Sequence, residues 1–540
     1  VNLVFAWIFN VVRRSQHSQL SKPLLLGFSL LFGLVLHGQK AVYLLLILCA
    51  YYRFSLLVIK LNRHIDSTRQ GQLNKSLFYE RLSMAMNIVA WVYPCIFKLL
   101  GDEYEGFPNL FSSESLDFQL VPWQSSYNLV LLRMISFFFE AKNSLIKKQS
   151  NHSHSQNQHI ITADRVNEKK KEIAESTPIL NSSSITGKNR REAKDETQDF
   201  LHCEKCYQSN YFCQSYLIKT QTTSDEFTLT NYFIYIFFSP LYFSGPTITF
   251  NSFIYQLNLV ISSSQTNAKI KNNTDNGNRS SNSNLTYQEQ LITNNLKTQT
   301  FLDTVKAHSF YILRAFFLLI ILEAYNHLVY VNTVLNNPIS FQSQELNLYL
   351  ISNRITTFFL GYYLLVFIWL KFSCIWKSSR ALSMLYGIVT EENMNRCIFS
   401  NWCFEDFWRD WHKSFNQWLI KYIYVPLGGK STKLFTSWVI FTFVALWHEV
   451  KWELLCWAWF ICLCLIPEVI VKKLFIDVKP KAEKSLLYKI GVHSAKSLFA
   501  GVYLILMIFA NLIGFGISNV GFRSVLVSMA VNLSLYEVII

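Results

Sequence analysis

The sequence predicts an all-α polytopic membrane protein, and three observations support this fold class. Of its 540 residues, 51% are hydrophobic. Charged residues make up only 16%, against roughly 25% in a typical soluble domain. Several apolar windows approach the roughly 20 residues that a helix needs to cross a bilayer. These windows cover residues 23–38, 41–59, 84–100, 316–335, 355–372, 435–448, 454–471 and 497–517.

The charge of the chain indicates contact with lipid rather than with nucleic acid. A net charge of +15 in a soluble protein would suggest nucleic-acid binding. Here most Lys and Arg residues lie between apolar windows, where such residues set topology and contact lipid headgroups. We therefore expect a multi-pass integral membrane protein that binds no nucleic acid. The chain begins at Val1 inside an apolar run, a start typical of a fragment.

Changes in composition divide the chain into five regions. The predicted regions are N-terminal transmembrane helices (1–140), a polar loop (141–200), a cysteine-containing segment with a re-entrant region (201–260), an Asn/Ser-rich insertion (261–300) and a core with C-terminal transmembrane helices (301–540). The polar loop and the insertion contain too few apolar residues to offset the entropy of ordering. We expect both of them to be disordered.

The segment between the two polar tracts carries a small cluster of possible metal ligands. His202, Cys203, Cys206 and Cys213 include a Cys-x2-Cys pair, a spacing that suits zinc. The second well-spaced pair of a structural zinc site is missing. A zinc site and free thiols are therefore both open interpretations.

The apolar stretch at 231–254 does not predict a regular spanning helix, because Pro240, Gly245 and Pro246 interrupt it. Irregular backbone at membrane depth is tolerated only when it is buried in protein or lines a water-filled cavity. The stretch predicts either a re-entrant element near a site or an interfacial loop.

The run "FWRDWHKSFNQWLIKYIYVPLGG" at 407–429 predicts an amphipathic helix that lies at the membrane interface. One face carries aromatic residues at helical spacing, namely Trp408, Trp411, Phe415, Trp418 and Tyr422. Charged and polar residues cover the other face. His412 lies at the edge of the aromatic face.

A second histidine, His448, lies at the end of the window at 435–448, on a stripe with Trp438, Phe441 and Ala445. An ionisable side chain in a spanning segment indicates a functional site, although a histidine that bonds a carbonyl at the helix end fits as well. Two histidines on consecutive elements can meet around one cavity. There a neutral imidazole would serve as the general base for a hydroxyl or amine that attacks an activated carbonyl.

Basic residues around these histidines allow two interpretations. They could bind the phosphates of a large anionic donor, or they could form a surface that faces lipid headgroups. The residues are Arg409, Lys413, Lys421, Lys430 and Lys433.

Together these residues resemble the signature of the membrane-bound O-acyltransferases. The similarity lies in the run from Phe407 to Gly429 and in the spanning helix that ends with Trp447 and His448. The segments "PLYFSGPTITFNSFI", "EENMNRC" and "FTFVALWHEVKWELLCWAW" are similar to the glycerol-uptake-protein branch, the sister of Hedgehog acyltransferase. The resemblance covers most of the chain from about 229 to 470, with weaker agreement at 131–140.

The resemblance implies a fold and an activity. The fold would contain about ten or eleven transmembrane helices, with re-entrant and interfacial helices around a central tunnel. The activity would move a fatty acyl group from acyl-CoA to a hydroxyl of a lipid acceptor in the bilayer, such as a glycosylphosphatidylinositol-anchor or lysolipid intermediate. The expected location is the endoplasmic reticulum.

The resemblance also assigns roles to individual residues. His448 would act as the general base, and His412 would orient the acceptor or polarise the thioester. We expect acyl-donor contacts from Trp408, Arg409, Trp411, Asn416 and Trp447. Cys397 matches the place of a haem-ligating cysteine in Hedgehog acyltransferase. Protein acylation, glycerol or polyol transport and an inactive scaffold are the alternative functions.

Overall fold

Backbone groups in a bilayer have no water to bond with, so an apolar chain of this kind satisfies them within helices. The computed structural model describes residues 1–104, 120–144, 217–273, 300–329, 354–471 and 486–516, except for short gaps at 16, 69–72, 124, 218–219, 221, 395 and 402. The described residues contain no strand, which confirms the all-α fold class.

The described helices number fifteen in the order of the chain. They are α1 (Asn2–Arg14), α2 (Ser21–His37), α3 (Ala41–Thr68), α4 (Leu73–Tyr104), α5 (125–144), α6 (Leu229–Ile236), α7 (Ser239–Tyr242), α8 (Phe250–Asn273), α9 (Phe301–Val329), α10 (Arg354–Leu385), α11 (Phe404–Asp410), α12 (Lys413–Leu419), α13 (Lys433–His448), α14 (Trp452–Val471) and α15 (Leu486–Asn511). Two π-helices follow α12 and α15, at Ile420–Tyr424 and Leu512–Gly516.

The described residues of each of the eight predicted apolar windows lie almost entirely in helices. Three helical stretches are long and apolar enough to cross a bilayer, namely Ser18–Leu61, Phe301–Val329 and Trp452–Ile470. The helix α9 exposes Phe310 by 79% and Leu313 by 64%, a surface that suits lipid contact. The number of ten or eleven transmembrane helices stays a prediction, because the described residues cover only part of the chain.

The helix α5 lies at the centre of the fold. Every side chain from Leu129 to Phe138 is buried, and a helix that is apolar all round belongs inside a protein. Its Phe137 ring packs 4.6 Å from the ring of Tyr232 in α6 and 5.0 Å from the ring of Phe250 in α8. The position of α5 therefore determines the positions of α6 and α8.

The stretch at 231–254 is irregular and lies inside the protein. The short helices α6 and α7 are followed by a turn at 243–244 and by backbone without regular structure up to residue 249. The buried guanidinium of Arg133 in α5 donates to the carbonyls of Tyr235 (3.0 Å), Ile236 (2.5 Å) and Leu241 (2.5 Å). A Cβ on Gly245 would lie 2.8 Å from the Cα of Leu241, so this backbone approach requires glycine. Burial of this kind is consistent with the re-entrant interpretation.

The second polar tract is more ordered at its start than the composition predicts. The helix α8 continues to Asn273, so residues 262–273, the described start of the tract, are helical. The remainder of this tract, the polar loop at 145–200 and the cluster from His202 to Cys213 lie outside the described residues.

Replacing Arg133 with Met should destabilise the protein by about 3–5 kcal/mol. The substitution removes the donor from three buried carbonyls, and each unsatisfied buried group costs about 1–3 kcal/mol. The measurement is the midpoint of thermal unfolding in detergent. Arg53→Met is the matched control, because Arg53 is exposed on α3. Equal midpoints for the two variants would contradict a structural role for Arg133.

Candidate functional site

The run at 407–429 is not one continuous amphipathic helix, so that prediction is wrong. The helix α11 ends at Asp410, and α12 begins at Lys413. Between them His412 adopts φ 46°, in the left-handed region, where residues other than glycine are uncommon. The backbone N–H of Lys413 donates to the carbonyl of Asn393 (3.0 Å) instead of continuing the helix. Competition from another segment for this N–H explains the break.

The loop that follows α10 holds the turn at His412 from one side. The Oγ of Ser414 donates to Asn393 Oδ1 (2.6 Å) and accepts from the backbone N–H of Thr247 (2.9 Å). Glu391 accepts from Gln417 (2.6 Å) and pairs with Lys413 (3.2 Å). The segment "EENMNRC" thus has a structural role in fixing the His412 turn.

Charge holds this loop against α10. Glu392 pairs with Lys377 and, at 3.1 Å, with Arg380. Burial opposes ionisation of Glu392, but the two cations outweigh that effect and hold the pKa of its carboxyl below the usual value. Glu392 is therefore charged at neutral pH, and the ion pair persists well below neutral pH.

A buried carboxylate, Glu140 at the end of α5, holds the other side of the turn. Glu140 accepts from the Tyr422 hydroxyl (2.7 Å) and from the Asn251 amide (2.5 Å), and it also pairs with Lys421. Tyr422 and Lys421 belong to the π-helix Ile420–Tyr424. The bonds from Glu140 therefore fix the geometry of the segment that follows α12. A π-helix is rare and often lies at a functional site.

The N-terminus of α11 is capped from α14. Glu468, which is 1% exposed, accepts from the backbone N–H groups of Phe404 (2.8 Å) and Glu405 (3.2 Å). These N–H groups have no partner within their own helix, so the carboxylate replaces the missing bonds. Three parts of the fold thus position the two helices that flank His412.

A cavity of about 690 Å³ lies between these helices and α13. His412 and His448 both line it. Five further predicted residues line it as well, namely Trp408, Arg409, Trp411, Asn416 and Trp447. The structure therefore brings together all of the predicted site residues except Cys397.

Aromatic rings connect the two histidines. The ring of Phe415 lies 5.4 Å from His412 and is stacked 4.5 Å from Trp447. Trp447 lies 4.7 Å from His448, and its indole N–H donates to the carbonyl of Asn128 (2.8 Å). The rings of Trp457 and Phe515 pack against His448 at 6.4 and 5.3 Å. A series of packed rings thus fixes the relative position of the imidazoles.

The imidazole of His412 has one ring nitrogen that can bond a ligand in this cavity. Its Nδ1 is buried and has no hydrogen-bond partner. The turn that carries it is not part of a spanning helix, and burial together with the nearby His448 ring lowers its pKa to about 3. The imidazole is therefore neutral near pH 7, so it can both donate and accept a hydrogen bond.

The remaining wall of the cavity is largely apolar. It combines side chains of α10, α13, α14 and α15 with one edge of the irregular stretch at 243–244. Representative residues are Leu365, Ile368, Phe372, Ile440, Val444, Leu465, Leu504 and Met507. A lining of this kind suits a flexible hydrocarbon chain.

The surroundings of Cys397 do not fit haem. Cys397 is exposed, in a short turn before the 3-10 helix Ile398–Ser400, and it does not line the cavity. Haem needs an enclosed apolar pocket beside its ligand. Within the described part of the chain, no group of three or more His, Cys, Asp or Glu side chains could hold a metal ion. The prediction of haem at Cys397 is not supported.

Sequence reasoning missed several residues of the site. Glu140, Glu391 and Glu468 position it, and Asn128 and Asn401 line the cavity. The carboxylates could have been identified from the sequence, because acidic residues in or beside apolar segments are rare and functional. The two asparagines carried no comparable signal, because asparagine is common throughout this sequence.

Comparison with known proteins identifies the family. The family model described as MBOAT, membrane-bound O-acyltransferase family, matches residues 187–510, so the chain belongs to that family. It is 26% identical over 521 residues to "Membrane-bound O-acyltransferase gup1" of Schizosaccharomyces pombe, a match of 94% of this chain and 67% of the relative. This match confirms the resemblance to the glycerol-uptake-protein branch.

Other relatives match shorter stretches. "Membrane-bound O-acyltransferase GUP1" of Saccharomyces cerevisiae is 28% identical over 315 residues, or 58% of this chain and 46% of the relative. "Protein-cysteine N-palmitoyltransferase HHAT" of Mus musculus is 30% identical over 97 residues, or 17% of this chain and 19% of the relative. The chain thus spans between about half and two thirds of the yeast gup1 relatives' length.

Replacing Glu140 with Gln should loosen the segment after His412. The substituted carboxamide would leave Lys421 without its carboxylate and would present an N–H group to the donors of Tyr422 or Asn251, at a cost of about 3 kcal/mol. Hydrogen–deuterium exchange over 413–424 should rise. Glu449→Gln is the control, because Glu449 and Lys451 form an exposed pair. Unchanged exchange in the Glu140 variant would contradict this role.

Proposed function

We propose that this chain transfers a fatty acyl group from a thioester donor, acyl-CoA, to the hydroxyl of a lipid acceptor. The observation that carries the proposal is the single cavity that contains both His412 and His448 and is otherwise lined largely by apolar side chains. Its volume of about 690 Å³ lies within the range of small-molecule sites. An acyl chain fits the apolar lining, and the thioester would lie between the histidines.

In the proposed reaction His448 acts as the general base. Its imidazole removes the proton from the acceptor hydroxyl as the oxygen attacks the thioester carbon. The carbon–oxygen bond forms, the carbon–sulfur bond breaks, and the proton passes from His448 to the departing thiolate. General-base catalysis of this kind contributes roughly 10²–10⁴-fold in rate.

His412 has a second role in this proposal. Its buried Nδ1 has no hydrogen-bond partner within the protein, and a neutral imidazole can donate one hydrogen bond. Donation to the thioester oxygen would stabilise the charge that develops there, an effect of about 10²–10³-fold for one donor. Trp408, Trp411, Asn416 and Trp447 would contact the donor, and Arg409 would bind its phosphates.

The acceptor and the location belong to the same proposal. A lipid hydroxyl, on a glycosylphosphatidylinositol-anchor or lysolipid intermediate, reaches the cavity from the bilayer, and the endoplasmic reticulum supplies both substrates. An amine on a protein is the alternative acceptor. Glycerol or polyol transport is the alternative from a different class.

His448→Ala should lower the acyl-transfer rate at least about 10²-fold in microsomes supplied with labelled acyl-CoA and a panel of lysolipids. His412→Ala should lower it about 10²-fold, because one hydrogen bond to the thioester oxygen is lost. His327→Ala is the control, because the His327 side chain is 78% exposed and lies on α9. Transfer by the His448 variant at the unmutated rate would exclude the base assignment.

The transport alternative has its own outcome in the same preparation. The unmutated chain and the His448 variant are compared. If neither of them transfers acyl groups but glycerol flux into vesicles rises with expression, the chain is a transporter and the proposal fails. Transfer to a peptide amine and to no lysolipid would establish protein acylation instead.

A further inference from the structure

Four side chains around the cavity have buried polar atoms without a hydrogen-bond partner. They are Asn128, Asn401, Trp408 and His412. Buried polar atoms in proteins are nearly always paired, so an unpaired one marks a place where water or a ligand bonds. Asn401 differs from the other three because both atoms of its amide are unpaired, and the residue is only 3% exposed.

The fold does not explain an asparagine at position 401. The backbone of Asn401 is extended, with φ −102° and ψ 120°, which any residue adopts. Its backbone N–H donates to the carbonyl of Ile398 (3.3 Å), so the turn forms without help from the side chain. An apolar residue would therefore fill this position at lower cost, since a buried carboxamide needs partners.

The place of Asn401 in the fold indicates which part of a substrate it contacts. It stands just before α11, whose other end leads into the His412 turn, whereas His448 belongs to α13. Trp408 in α11 adds a further unpaired donor, its indole N–H. The group that binds here must accept hydrogen bonds from N–H donors and donate one to the Asn401 oxygen. The hydrocarbon chain of the acyl group can neither accept nor donate a hydrogen bond.

We infer that Asn401 binds a secondary amide of the acyl donor, the group that the pantetheine arm of CoA carries a short link away from the thioester sulfur. This inference rests on the proposed function. The oxygen of this amide accepts from Asn401 Nδ2, and the N–H of the second pantetheine amide donates to Asn401 Oδ1, because the C=O and N–H of one trans amide point in opposite directions. Asn401 is then a specificity-determining residue, because its carboxamide is left unpaired when the donor lacks the amide.

The test compares two donors of equal length. S-palmitoyl-N-acetylcysteamine carries one amide at the pantetheine position, and S-pentyl thiopalmitate replaces that amide with methylene groups. The unmutated chain should prefer the amide donor about tenfold in kcat/KM, the ratio expected for one hydrogen-bonded pair. Asn401→Leu should abolish this preference, while the KM for the lipid acceptor stays the same. Ser400→Ala, at the exposed neighbouring position, should keep the preference.

A second variant separates the loss of the hydrogen bonds from a loss of folding. Asn401→Asp keeps the size and the acceptor atoms but loses the N–H donors, so it should reduce the preference as well. Thermal unfolding establishes that each variant is folded. A folded Asn401 variant that keeps the tenfold preference overturns the inference, and so does an equal loss of rate with both donors. Absence of transfer from every donor in the unmutated chain overturns the proposed function itself.

Discussion

The structure of the site depends on one backbone feature, the left-handed residue His412 between two short helices. A residue other than glycine in this conformation costs on the order of 1–3 kcal/mol and persists only where its surroundings determine it. Asn393 supplies the determining bonds, through its carbonyl to Lys413 N–H and its amide oxygen to Ser414. Without this break the helix would continue past residue 412 and turn the imidazole relative to the rest of the cavity. The conformation of His412 therefore determines where its imidazole lies in the cavity.

Buried polar side chains in this apolar fold fall into two groups. Some position the backbone through bonds made within the protein, as Arg133, Glu140 and Glu468 illustrate. Those with unpaired atoms include Asn401 and His412, and both line the cavity. In a low-dielectric interior an unpaired polar atom is costly, so the unpaired atoms that line the cavity are places where a ligand or water can bond.

The sequence predicted the helices well and the site in part, for physical reasons. Apolar windows identify spanning helices because the bilayer imposes length and composition together. The aromatic periodicity from Trp408 to Tyr422 runs without interruption through the break at His412, so no local pattern reveals it. The cause lies in Asn393, which meets the turn only in three dimensions. Asn401 was missed for the same reason, since its unpaired amide is a property of the fold.

The length of α13 sets the distance between His448 and the basic residue at the start of the helix. The helix has 16 residues, or about 24 Å at 1.5 Å per residue, which is shorter than the roughly 30 Å of a hydrocarbon core. It begins at Lys433, whose side chain is 45% exposed and pairs with Glu405, a setting typical of the headgroup region. Packed rings enclose His448 at the other end of the helix, and the exposed ion pair of Glu449 and Lys451 follows directly. Under the proposed function, the phosphates of CoA would bind near the basic residue at the start of α13, and the acceptor hydroxyl would meet the thioester beside His448.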